Sequence, residues 1–180
     1  MRRAARASER WRPPDTTVVE ATRRAMSQHQ GQIDPRGPQF NAVLTTAVLA
    51  LSLLTAPGAV GVGLLAVQAV LFAAGVALGV QRTPAAWLFR HLVRPRLSAP
   101  DHLEDPQPPR FAQAVGLAFA VVGLLGYLVG LPVLGLVATG LALVAALLNA
   151  VFGLCLGCEM YLLIRRVTGS RAERRTPANA

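Results

Sequence analysis

Residues 37–81 read GPQFNAVLTTAVLALSLLTAPGAVGVGLLAVQAVLFAAGVALGVQ and carry no charge over 45 positions. A second uncharged block, residues 111–158, covers 48 positions between Arg110 and Glu159. One helix needs about 20 apolar residues to cross a bilayer. Each block therefore fits two crossings and a tight turn, and neither fits one or three. The segments are apolar on every side, as helices facing lipid or one another are. They lack the alternation over about ten residues that a membrane β-barrel strand requires. The pattern predicts an all-α membrane protein with four transmembrane helices, roughly at 40–56, 59–80, 111–131 and from 133 onward. The fourth has no clear stop before Arg165-Arg166.

The rest of the composition agrees. The 180-residue chain is 15% charged with a mean hydropathy of +0.43, where a soluble domain carries about 25% charged residues. Its basic residues are 18 arginines, with no lysine, giving a formal charge of +9. A balance this basic would suggest nucleic acid in a soluble chain. Position decides otherwise: the arginines lie before residue 40, between 81 and 110, and after 164, and the turns near Pro57 and Leu131 have none. That asymmetry marks one cytoplasmic side. Both termini are predicted to be cytosolic at the plasma membrane, with the lipid bilayer, and not nucleic acid, as the partner.

Three regions follow. Residues 1–32 read as a disordered Arg-rich cytosolic tail with no signal-peptide h-region. Residues 33–166 form the membrane domain, and residues 167–180 a second disordered tail. Pro38-Gln39-Phe40 and Pro109-Arg110-Phe111 open the two uncharged blocks in the same way, so the helices are expected as two parallel-repeat hairpins. Between them, Trp87, Leu88, Phe89 and Leu92 mix with Arg90 and Arg94, and are expected to form an interfacial helix on the cytosolic side. Gly75 with Gly79, Gly126 with Gly130, and Gly153 with Gly157 have the small-xxx-small spacing of close helix packing. Thr45, Thr46, Ser52, Gln68, Gln113, Thr139 and Asn149 are the polar groups of the spans; such groups line a path or bond between helices.

Cys155-Leu156-Gly157-Cys158 contains both cysteines of the chain. Cys-x-x-Cys can exchange disulfides, hold a soft metal, or pack as two inert thiols, and all three stay open. The i, i+3 spacing places both sulfurs on one face of a continuous helix, with Glu159 beside them. At the C-terminal end of such a helix, the negative end of the dipole and the Glu159 carboxylate both disfavour a thiolate. A break at Gly153 or Gly157 would reverse that conclusion. Two thiolates fill half of a tetrahedral metal site. His91 and His102 lie on the same side of the membrane, but no spacing rule joins them to the cysteines, so no metal and no cofactor is assigned.

Three segments resemble a known family: IDPRGPQF at 33–40; LVRPRL at 92–97 with LEDP at 103–106 and PRFAQ at 109–113; and FGLCLGCEMY at 152–161. Together they resemble a bacterial membrane family catalogued as domain of unknown function 4395, over about residues 30–166. The resemblance implies a multi-span protein and, through gene neighbourhoods, an association with thioredoxin-like proteins and sulfurtransferases. It supplies no catalytic residue. The leading expectation is a plasma-membrane partner of cytosolic thiol or sulfur chemistry, with Cys155, Cys158 and Glu159 at the reacting site. The alternatives are a non-enzymatic scaffold with inert cysteines and a soft-metal binding protein.

Overall fold

The computed structural model of the protein describes residues 32–98, 100 and 103–173. The Arg-rich segment before residue 32, His29, His102 and the residues after 173 lie outside these. The described chain is helical: α1 (Arg36–Thr55), α2 (Ala59–Leu78), α3 (Pro84–Leu88), α4 (Gln107–Leu128), α5 (Pro132–Phe152) and α6 (Leu156–Glu173). A π-helical turn (Phe89–Val93) prolongs α3. No strand occurs among the described residues, only one backbone bridge between Ile33 and Glu104.

Four helices, α1, α2, α4 and α5, have 20, 20, 22 and 21 residues and are apolar enough to cross a membrane. At 1.5 Å per residue each is about 30 Å long, the thickness of a hydrocarbon core. Large apolar side chains lie bare on their outer faces, among them Leu54, Val70, Leu128 and Val133. In water that surface would be unstable; in lipid it is the solvated face. α6 carries Glu159, Arg165 and Arg166 and is not among the spans.

α1 and α4 begin about four residues earlier than the sequence suggests. Asp34 Oδ1 accepts from Arg36 N at 3.0 Å and Asp105 Oδ1 from Gln107 N at 2.9 Å, so both helices start on an aspartate. Pro38, Pro108 and Pro109 fall inside the first turns, where a missing N–H costs nothing because none is bonded within the helix. The larger correction concerns the fourth span. α5 ends at Phe152 rather than running on to the arginines, because Gly153 adopts a left-handed conformation with φ 68°. Gly153 N–H bonds to Asn149 O at 3.0 Å and Leu154 N–H to Leu148 O at 3.3 Å, which closes the helix end as glycine C-caps do. α6 then begins afresh and extends to Glu173, past residue 166.

α1 packs against α2 and α5, and α4 packs against the same two helices. The core holds Leu49, Leu65, Phe72, Ala120 and Ala142. Three polar side chains inside it bond to one another or to backbone, while the buried Tyr127 hydroxyl has no partner among the described residues. Ser52 Oγ donates to Gly61 O at 2.8 Å, Thr139 Oγ1 to Gly135 O at 2.8 Å, and Gln68 Nε2 to Thr45 Oγ1 at 3.4 Å. The glycine pairs divide into two jobs. Gly75 and Gly126 are close contacts: a β-carbon would stand 2.9 Å from Gln113 Cγ at Gly75 and 2.7 Å from Gly135 N at Gly126. Gly79 and Gly130 have positive φ and open space around them. They end helices rather than packing them, and α4 makes further close contacts through Gly116 against Phe72 and Gly123 against Thr139.

The same interactions occur twice, 71 to 74 residues apart. Gln39, in the first turn of α1, donates to Ala150 O near the end of α5; Arg110, in the first turn of α4, donates to Val76 O near the end of α2. Positive-φ Gly79 and Gly153 follow α2 and α5. Phe40 stacks on Phe89 at 5.8 Å and Phe111 on Tyr161 at 5.7 Å. Ile33 and Glu104, themselves 71 apart, exchange both backbone hydrogen bonds at 2.8 and 2.9 Å. The motif Asp-Pro-x-x-Pro-x-Phe, at residues 34–40 and 105–111, is the sequence trace of this repetition. These contacts gather Arg36, Arg82, Arg110 and the start of α6 at one end of the bundle.

Candidate functional site

At that end the break at Gly153 changes the setting of the cysteines. Cys155 is the residue immediately before α6, and its sulfur accepts the Cys158 backbone N–H at 3.3 Å. Its own carbonyl accepts the Glu159 N–H at 3.0 Å. Cys155 thus occupies an N-cap, and Cys158 lies within the first turn, where backbone N–H groups have no helical partner. The expectation of a helix C-terminus is overturned: the field here is the positive end of a helix dipole, which favours a thiolate on Cys155. Glu159 falls in the same first turn with its side chain exposed. It opposes that effect in part.

The two sulfurs lie at disulfide-bonding distance, with Cα atoms 5.2 Å apart. Both residues are partly buried. The repeat supplies an internal comparison. Thr83, 72 residues before Cys155, caps α3 by accepting the Ala86 N–H at 3.2 Å. Ala86 is the counterpart of Cys158, and Phe89 that of Tyr161. A threonine hydroxyl therefore does the capping in one half, and a cysteine sulfur does it in the other.

α6 is fixed in place by a close approach to α4. A β-carbon on Gly157 would stand 2.6 Å from Ala112 Cα. Only glycine fits between the two cysteines at this contact, and the Phe111–Tyr161 stack holds the next turn. Farther along, Arg165 lies over the Tyr161 ring at 5.9 Å and donates to its hydroxyl at 3.4 Å. The hydrogen bond to Tyr161 raises the guanidinium further above its ordinary value.

Behind Cys155 a cavity of about 340 Å³ enters the bundle between α1, α4, α5 and the start of α6. Cys155 and Gly157 line its outer end, with Asn41, Gln113 and Asn149 from three different helices. Thr45, Phe72, Phe119, Leu141 and Val144 line it farther in. No charged side chain lines it. Among the described residues, the amide side chains of Asn41, Gln113 and Asn149 make no hydrogen bond. Of the seven polar residues noted in the spans, Thr45, Gln113 and Asn149 thus face a cavity, while Ser52, Gln68 and Thr139 serve the helix contacts. Asn41, a polar residue at the start of the first uncharged block, carries the same signal as Asn149 and was missed in the sequence.

His91 is engaged elsewhere. Its Nδ1 is 2.9 Å from Trp87 O, and its ring lies against the Trp87 ring at 4.6 Å. No group of three or more His, Cys, Asp or Glu able to hold a metal occurs among the described residues.

No curated protein and no solved structure matches the chain. A family model described as Domain of unknown function (DUF4395) matches residues 33–166, and the chain belongs to that family.

Proposed function

We propose that this family member is a multi-pass protein of the bacterial plasma membrane whose Cys155–Cys158 pair exchanges disulfides or carries sulfur at the cytosolic face. One observation carries the reading: Cys155 caps the N-terminus of α6 with Cys158 three residues on, the setting that favours a reactive thiolate. The cap itself does not call for sulfur, since Thr83 performs it in the other half. In this reading both termini are cytosolic, the four spans form two parallel-repeat hairpins from an ancient duplication, and α3 with its π-helical extension lies in the cytosolic interface.

The exchange runs in two steps. The Cys155 thiolate attacks a disulfide of a soluble protein, forms a mixed disulfide and releases one partner thiolate. Cys158, its proton taken by the Glu159 carboxylate, then attacks Cys155 Sγ. The partner leaves with its second thiol, and two electrons have passed from the pair to the partner. A thioredoxin-like protein or a sulfurtransferase has the chemistry to be that partner.

The test is trapping in cells. Cys158→Ser removes the resolving thiol, so mixed disulfides or persulfides should accumulate on Cys155 and be identified by non-reducing electrophoresis and mass spectrometry. Cys155→Ser should abolish them. If Cys158→Ser yields no Cys155-dependent adduct, and the double Cys→Ala variant keeps partner pull-down and phenotype, the protein is a scaffold and the cysteines are packing groups.

A further inference from the structure

We propose that the cavity behind Cys155 binds a membrane quinone, which accepts the two electrons of the cysteine pair; this rests on the redox reading above. The cavity's volume of about 340 Å³ falls in the range of about 300–1,000 Å³ typical of small-molecule sites. Its lining states the chemistry of the occupant. With no charged side chain on the wall, a phosphate headgroup or an ionic peptide has no counter-charge there. Asn41, Gln113 and Asn149 present amide groups within two turns of the bundle end and without partners among the described residues. At membrane depth an unpaired amide is costly. An acyl chain would leave all three unpaired. A neutral planar ring with carbonyl oxygens on opposite edges would accept from their NH₂ groups. Its apolar tail would lie along Phe72, Phe119 and Leu141 toward the lipid-facing middle of the bundle. Among neutral lipids, a quinone has this form and is also a two-electron oxidant.

The reaction balances without a further reagent. The Cys155 thiolate adds to a ring carbon, making a C–S bond and placing the displaced electron pair on a quinone oxygen. The Cys158 thiolate attacks Cys155 Sγ. The S–S bond forms, the C–S bond breaks, and its electron pair passes to the ring. The two protons given up by the thiols are taken up by the two ring oxygens, leaving a disulfide and a hydroquinone. Thiol exchange is reversible, so a soluble dithiol, which reduces the Cys155–Cys158 disulfide and is itself oxidised, and the quinone, which takes the two electrons onward, are the two ends of one electron path through the pair.

The test uses the full-length protein in lipid nanodiscs, reduced, with decylubiquinone as the probe and oxidised glutathione as a separate oxidant of the pair. The expected result is one hydroquinone formed per two thiols lost. Cys155→Ala with Cys158→Ala should still bind decylubiquinone saturably while reducing none. Asn149→Leu should lower kcat/KM for the quinone by about tenfold, the value of one lost hydrogen bond, and Asn149→Gln should recover part of it. Ala146→Trp, which fills the cavity, should abolish binding; its thermal unfolding reports whether it is folded. If oxidised glutathione oxidises the pair but decylubiquinone does not bind, or reacts equally with the Ala146→Trp protein, the quinone site is refuted and the thiol-exchange reading survives. If neither oxidant reacts with the pair, both fall.

Discussion

Gly157 stands between the two cysteines, and its missing side chain decides where they sit. With 2.6 Å between a virtual β-carbon and Ala112 Cα, any larger residue must push α6 away from α4. Gly157→Val should therefore destabilise the protein by about 1–3 kcal/mol, the usual cost of overpacking, read as a lower midpoint of thermal unfolding in detergent. Gly63→Ala, with nothing within 4 Å of its virtual β-carbon, should leave the midpoint nearly unchanged. The sequence holds both glycines in similar apolar surroundings and does not separate them. It also does not separate Gly157, a contact, from Gly153, a terminator four residues earlier. The difference lies in Ala112, more than forty positions away, and in a backbone angle. For the same reason Gln113 and Asn149 were visible as polar residues but not as two walls of one cavity.

At the scale of the element, the break after α5 matters most. Ala in place of Gly153 would have to hold a φ of 68°, which costs a side-chain-bearing residue about 1–2 kcal/mol. Gly153→Ala should lower the unfolding midpoint and reduce the yield of mixed disulfide trapped on Cys155, because a continuous helix would draw that sulfur off the N-terminus of α6. Gly153→Asn, better tolerated in the left-handed region, should lose less on both measures. The four spans were legible because charge is absent over whole lengths of helix, a signal that survives ignorance of packing. The starts of the first and third spans were placed about four residues late, at Phe40 and Phe111, whereas Pro38, Pro108 and Pro109 occupy first turns. The sequence named a break at Gly153 or Gly157 as the condition for reversing the field at the cysteines, but could not decide whether it occurs. It depends on one residue's φ.

For the whole molecule, the arginine-bearing ends of α1, α2, α4 and α6 are brought together by paired contacts that recur in each half. In a cysteine-free background, Ala59→Cys and Leu131→Cys should react with a membrane-impermeant maleimide on intact cells. Ala85→Cys should react only after permeabilisation. The reverse pattern would invert the protein and move the Cys155–Cys158 end to the outer face. The charge asymmetry of the sequence predicts a single arginine side, and the labelling pattern tests it. The repeated motif at 34–40 and 105–111 could also have foretold that its two copies meet, as the Ile33–Glu104 bridge shows.

Beyond their first turns, the four spans hold no Asp, Glu, Arg, Lys or His. A transmembrane voltage acts on charge, at about 2.3 kcal/mol per elementary charge per 100 mV, and finds none to pull on inside this bundle. In the proposed exchange, with the sulfurs and the nearby amides all at one end, no charge need cross the field. The rate of that proposed exchange is therefore expected to follow the supply of oxidant and reductant and not the electrical state of the cell.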